Sequence, residues 1–367
     1  MVPRIQNFSP AAADARELWR EYLTRPELYP RDEDFGELIQ SVSTGLQNLC
    51  HTSNSVLLLT AAGTGALECA IAALPPGRRI VVIRNGYFGQ RLFEIATFHH
   101  REVYSFDLPF GQPFNQTQEA SLVKRLHQTR ADVIIGVHLE TSSTVLNDVA
   151  LIGKIGQAHQ AMTIIDGVSS IGSVDCPIDA WGVSCFVGSA YKSLLCPAGL
   201  SFIVATPDFA RTANRRWSFY YDIGRLMEAA EAHRYLWSPC VVGLQCLRGV
   251  IAGILSDGHS NYFEKLGEKA SLFRERMSQE GFEIVGDPRY LSPCYTAIRL
   301  GKNDAGRWTK QLKEKYGMVV GQGLGDHPRR YLRIGHYPNK SDAELQDLAA
   351  ALSEVSRIVS QPEIARR

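Results

Sequence analysis

Thr163-Ile164-Ile165-Asp166-Gly167-Val168-Ser169-Ser170 is the stretch on which the reading of the fold turns. Twenty-six positions after its aspartate comes the lysine of Phe186-Val187-Gly188-Ser189-Ala190-Tyr191-Lys192-Ser193. Each stretch starts as an apolar run without alternation and ends in a turn of small residues, as a strand buried on both faces of a sheet does. Further apolar runs stand at Val56–Leu59, Ile80–Ile83, Val133–Val137 and Leu200–Val204, separated by segments long enough to supply covering helices. This rhythm predicts an α/β fold with a mostly parallel sheet sandwiched by helices. Ligands of such sheets bind outside the carboxyl ends of the strands.

Beyond about Pro239 the texture changes. Val241–Leu255 and Tyr262–Gly281 read as long helices, the first apolar enough to pack between domains, the second with the mixed polarity of a surface helix. Short strands at Tyr295–Leu300, Met318–Val320 and Tyr331–Ile334 follow, with helices near Arg307–Tyr316 and Asp342–Val359. The expected organisation is a large domain over residues 26–254 and a smaller C-terminal α+β domain over 255–367. Residues 1–25 are expected to pack on the smaller one.

Composition narrows the function. The 367 residues carry 39 Lys+Arg against 38 Asp+Glu, a balance that argues against nucleic acid as a partner. At 45% hydrophobic and 21% charged, the chain has the composition of an ordinary folded protein. No apolar stretch approaches the ~18 residues of a bilayer span, and the start Met1-Val2-Pro3-Arg4-Ile5-Gln6 lacks the layout of a secretion signal, so a cytoplasmic location is expected. The eight cysteines show no paired spacing and the ten histidines no HExxH or cluster; buried thiols and no metal are expected.

The chemistry concentrates in five segments. Lys192 follows a buried strand inside a Ser/Ala/Gly turn, where desolvation lowers an amine's pKa and frees its lone pair for imine formation. Asp166 closes a strand, and a carboxylate buried there calls for a cation such as the protonated ring nitrogen of a pyridine cofactor; a capping or turn aspartate is the alternative. Thr60-Ala61-Ala62-Gly63-Thr64-Gly65-Ala66 joins a strand to a helix, so backbone N–H groups and a helix N-terminus can receive a phosphate, or simply make a tight turn. Asn85-Gly86-Tyr87-Phe88-Gly89-Gln90-Arg91 offers aromatics for stacking on a flat ring or for core packing. His138-Leu139-Glu140-Thr141-Ser142-Ser143-Thr144 ends a strand with hydroxyls, read either as cofactor contacts or as a polar loop.

Taken in order with Leu332-Arg333-Ile334-Gly335, these segments resemble the successive motifs of the class V aminotransferases. These are fold-type I pyridoxal-phosphate enzymes, the group that includes alanine–glyoxylate and 2-aminoethylphosphonate–pyruvate transaminases. Tyr221-Asp222 and Trp237-Ser238-Pro239 are similar to the 2-aminoethylphosphonate branch. The resemblance implies a mostly parallel seven-stranded sheet and pyridoxal 5'-phosphate as cofactor. It makes Lys192 the Schiff-base lysine and proton shuttle, with Asp166 as partner of the pyridinium nitrogen. Phe88 would stack on the ring, Val168 pack beneath it and Thr141 lie beside it. Ala62, Gly63 and Thr64 would hold the phosphate, with Tyr191 next to the lysine. Arg333 would grip the substrate carboxylate. It also implies a homodimer whose site is completed across the interface, Ser238 reaching the neighbour's phosphate.

The chain departs from the pattern in four places. Ala62 stands where a hydroxyl is usual, Tyr191 where glutamine or asparagine precedes the lysine, and Thr144 where glycine is common. The N-terminal Pro-Gly-Pro element is replaced by Asn7-Phe8-Ser9-Pro10-Ala11. The activity implied is transfer of an amino group between an amine or amino acid and a 2-oxo acid. The departures motivate an alternative: elimination, replacement or carbon–carbon bond formation on an amino acid through the same stabilised carbanion. A non-catalytic binding protein that keeps the fold is the third reading, against which Lys192, Asp166 and Arg333 all count.

Overall fold

The structure, a computed structural model, describes residues 5–11, 13–301, 304–325 and 328–359. Its centre is a seven-stranded sheet in the order Ser55–Thr60, Leu200–Ala205, Cys185–Ser189, Met162–Asp166, Val133–Val137, Arg79–Arg84, Glu102–Asp107. Leu200–Ala205 runs antiparallel to both neighbours and every other pair is parallel. The six apolar runs, one in every strand but Glu102–Asp107, are buried along nearly their whole length, which is why they lack alternation. Helices such as Gly63–Ala72 and Tyr87–His99 cover one face, and Glu33–Leu49 and Val241–Asp257 pack together on the other.

Glu102–Asp107 is the strand that no apolar run announces. It is a sheet edge, half-buried from Glu102 to Phe106 and exposed at Asp107, so Glu-Val-Tyr-Ser-Phe-Asp needs no continuous apolar face.

Val241–Asp257 ends at Gly258, where φ of +84° lets the chain turn by 94° into His259–Gln279. Beyond the turn, a four-stranded antiparallel sheet orders Glu283–Ile284, Tyr295–Arg299, Tyr331–Gly335 and Gly321–Gln322. Trp308, Leu312, Leu348 and Leu352 build a separate core on it. Met318–Val319 leaves this sheet and pairs in parallel with Gln6–Asn7, which carries Phe8 into the same core. The leading segment then divides: the helix Arg16–Leu23 packs on Val241–Asp257, and Trp19 Nε1 donates to the Leu195 carbonyl at 2.6 Å. Residues 1–4, part of the expected N-terminal segment, lie outside the described residues. All eight cysteines are free thiols, and no single helix among the described residues is long and apolar enough to cross a membrane.

Candidate active site

Five chain crossings at the carboxyl edge of the large sheet meet the strand Tyr331–Gly335 and the N-terminal segment around a cavity of about 370 Å³. Asp166 stands at the end of Met162–Asp166, its side chain 5% exposed and one oxygen accepting the Val168 N–H at 2.9 Å. Burial pushes its carboxyl up to about 7, against the pull of that hydrogen bond and of Arg91 and Lys192. Among the described residues no cation lies within ion-pair distance of it, so the wall holds an acid without a cationic partner.

Lys192 emerges from the turn after Cys185–Ser189. Its Nζ donates to the carbonyl of Pro10 at 2.6 Å and of Ala11 at 3.3 Å. Enclosure lowers the amine to about 8, the Arg333 charge adding to the effect and Asp166 opposing it. Asn7–Ala11 thus covers the lysine although it lacks Pro-Gly-Pro; Phe8 is buried below and the Tyr337 hydroxyl donates to the Ala11 carbonyl.

Arg333 enters from the other side, 8% exposed on one of the two inner strands of the small sheet. Its Nε donates to the Gln322 carbonyl at 2.7 Å and Nη1 to the Thr141 carbonyl at 3.3 Å. Burial brings the guanidinium down to about 10, still charged at neutral pH. Two carbonyls fix the plane of the fork and leave its remaining donors for the cavity that Arg333 lines. Thr141 is fully buried behind the arginine and does not line the cavity.

In the turn after Ser55–Thr60, Gly63 begins the helix Gly63–Ala72 with Ala62 as its N-cap, a side chain that cannot accept from the first turn. The Gly63 N–H donates to the Tyr191 hydroxyl at 2.8 Å. A Cβ on Gly63 would stand 2.6 Å from Val168 Cγ2, so only glycine lets turn and strand end approach this closely. Thr64 and Val168 line the cavity; Ala62 is exposed outside it.

Phe88 lines the cavity from the first turn of Tyr87–His99. Its position is set by Glu140, fully buried, whose carboxylate accepts the N–H groups of Phe88 at 2.9 Å, Gly89 at 3.0 Å and Ser142 at 3.0 Å. Burial raises the Glu140 pKa against the pull of these hydrogen bonds, and its oxygens satisfy orphan donors at the start of the helix.

The structure thus brings together Asp166, Lys192, Arg333, Phe88, Thr64, Val168 and Tyr191 around one space. Ser238 lies apart, exposed, its carbonyl accepting the Thr60 hydroxyl at 3.2 Å. Sequence reasoning missed Arg91, which lines the cavity one helical turn beyond Phe88, donates to Thr64 Oγ1 at 3.3 Å and lies over the Tyr87 and Phe88 rings. Its signal was the i to i+3 spacing from Phe88 on a helix. It also missed the Pro10 and Ala11 carbonyls, which no local pattern marks.

Sheet order and a lysine–aspartate–arginine cavity define a fold-type I transferase, and the chain is similar over nearly its whole length to the solved alanine–glyoxylate aminotransferase of Nostoc sp. The TM-score is 0.90 at 23% identity, over 97% of this chain and 96% of that one. Residues 8–229 match the family described as Aminotransferase class-V. The chain belongs to the class V aminotransferases. A relative named L-aspartate–glyoxylate aminotransferase, from Paracoccus denitrificans, is 29% identical over 347 residues, 92% of this chain and 87% of the relative. Another, named soluble hydrogenase small subunit, from Synechococcus sp., is 28% identical over 336 residues, 90% of this chain and 86% of the relative.

Proposed function

We propose that this chain is a pyridoxal-phosphate-dependent aminotransferase that moves an amino group between an α-amino acid and a short 2-oxo acid such as glyoxylate. The observation that carries the reading is the convergence on one cavity of a lysine lowered to about 8, a buried carboxyl without a cationic partner and a buried arginine with donors to spare. The relatives named for glyoxylate transamination support the choice of acceptor.

The residues present fit pyridoxal phosphate. Asp166 lacks the cation that a buried carboxylate needs, and the cradle at Gly63 is so close that a side chain there would collide with Val168. When bound, the cofactor supplies an aldehyde for the amine and a protonated pyridine ring that takes up the electron pair left by a departing α-proton.

Asp166 would hold the ring nitrogen in its protonated form, and that ion pair would offset the cost of its own burial. The Thr64 N–H and the hydroxyl of Tyr191, itself oriented by the Gly63 N–H, would hold the phosphate at the helix N-terminus. Phe88 and Val168, which line the same cavity, would pack against the ring. Lys192 Nζ, lowered towards neutral pH, takes the α-proton and returns it, a task for which an ordinary lysine would stay protonated. Arg333 turns its free N–H fork to the substrate carboxylate and so sets which substrate face meets Lys192. In the homodimer that the family resemblance implies, Ser238 completes the phosphate end of the neighbouring site.

The test is a panel of amino acids offered with glyoxylate to the holoenzyme, with cofactor absorbance and keto-acid release followed together. Matched release of glycine and a new 2-oxo acid is expected. In Arg333→Gln, KM for both carboxylate substrates should rise about 10- to 100-fold, from the loss of charge-assisted hydrogen bonds of ~1.5–3 kcal/mol. Loss of a leaving group without net amine exchange, or an unmoved KM, contradicts the reading.

A further inference from the structure

We propose that His51, Asp175 and His259 form a binding site for a divalent first-row transition-metal ion that accepts tetragonal nitrogen and oxygen ligation, Ni2+ or Cu2+ in type. None of the three residues lines the Lys192 cavity, and the proposal is independent of the function proposed above. His51 follows the helix Glu33–Leu49, Asp175 lies in the loop after Met162–Asp166, and His259 is the first residue of His259–Gln279.

The three ligand atoms converge. His51 Nε2 lies 2.9 Å from Asp175 Oδ1 and 2.7 Å from His259 Nδ1, and the last two are 3.9 Å apart. These separations describe a triangle with a nearly right angle at His51 Nε2, whose centre is about 2.0 Å from all three atoms, the bond length of imidazole and carboxylate ligands to such ions. The angle across that centre from His259 to Asp175 is nearly straight. Three donors of a square-planar or octahedral set are arranged this way, whereas a tetrahedral ion would require the rings to move.

Hydrogen bonding alone does not account for the arrangement. A ring nitrogen has one in-plane hydrogen or one in-plane lone pair, and here Nε2 of His51 faces two partners at about a right angle to each other. Neither can be served linearly while the other is served at all, but a single ion at the centre satisfies all three. Two imidazoles and one carboxylate favour such an ion over Mg2+ or Ca2+, which prefer all-oxygen ligation. The side chains of His51, Asp175 and His259 are 43%, 49% and 21% exposed, leaving a path from solvent and positions for water ligands. Sequence spacing does not reveal the site, because 124 residues separate His51 from Asp175 and 208 separate it from His259. A bound ion would tie the start of His259–Gln279 to the large sheet's side of the molecule.

The test uses the full-length, cofactor-loaded protein with any histidine tag removed. It is dialysed against NiCl2, freed of unbound metal and assayed for nickel by mass spectrometry. One equivalent is expected in the wild type and none in His51→Asn/His259→Asn, asparagine being chosen because His51 has φ of +45°. Asp175→Asn should bind at least about tenfold more weakly, the loss that even an outer-sphere partner can cause. Nickel should raise Tm in the wild type alone. No retained nickel in the wild type, or equal retention in the double variant, overturns the proposal. Should a variant fail to fold, Ni2+ protection of His51 and His259 from diethylpyrocarbonate in the wild type decides instead, and modification unaltered by the metal refutes the site.

Discussion

The hydroxyl of Tyr191 accepts a 2.8 Å hydrogen bond from the Gly63 N–H, joining the residue beside the proposed Schiff-base lysine to the first turn of the helix Gly63–Ala72. Tyrosine therefore reaches the cradle from the position where the family usually has glutamine or asparagine. Burial raises its pKa, so the phenol keeps its proton and has it to give to a phosphate oxygen. Tyr191→Phe should bind pyridoxal phosphate about 10- to 100-fold more weakly, the worth of one hydrogen bond to a charged group at ~1.5–3 kcal/mol. Fluorescence titration of the cofactor-free protein measures this; an unchanged Kd would remove Tyr191 from the phosphate site.

Asp166 gives a pH prediction for the cofactor-free protein. Its folded pKa of about 7 lies above the ~3.9 of an unfolded aspartate, so the native state holds the extra proton. The carboxyl's contribution to stability is complete below about pH 4 and is lost as pH rises towards 7. Lys192 has the opposite sign and acts in another window: it is lowered to about 8, so its penalty is relieved only as pH rises from there towards its ordinary value. In Asp166→Asn, Tm relative to wild type should therefore climb between pH 4 and 7. A difference that stays flat over that range contradicts the assignment.

Thr144, where the family often has glycine, adopts φ of +63° and buries a hydroxyl that has no hydrogen-bond partner among the described residues. A β-branched residue in the left-handed region costs ~1–2 kcal/mol, part of which glycine gives back as unfolded-state entropy. Thr144→Gly should stabilise the fold by roughly 1 kcal/mol in urea unfolding. A lower midpoint would show that the threonine methyl packs to more effect than its backbone strain.

Much of this was legible in the chain because burial leaves a simple signature. Strands covered on both faces read as unbroken apolar runs, and Asp166 and Lys192 stood out as charges set at the ends of such runs. Glu102–Asp107 stayed hidden because this edge strand, unlike Ser55–Thr60 at the opposite edge, is only half covered. The Pro10 carbonyl on Lys192 joins residues 182 positions apart, and the Thr141 carbonyl on Arg333 joins residues 192 apart. Neither residue type nor spacing encodes contacts made by backbone oxygens at such separations. Met318–Val319 read as one more strand of the small sheet, yet its partner is the N-terminal Gln6–Asn7, a pairing that only the tertiary fold brings about.

Covalent capture tests the central claim most directly. The holoenzyme is treated with borohydride, digested and mapped by mass spectrometry, with Lys192→Ala alongside. The account predicts that the reduced cofactor is found on the peptide carrying Lys192, and that the alanine variant folds, binds pyridoxal phosphate without covalent attachment and does not turn over. Label on another lysine, or full activity in Lys192→Ala, would contradict it.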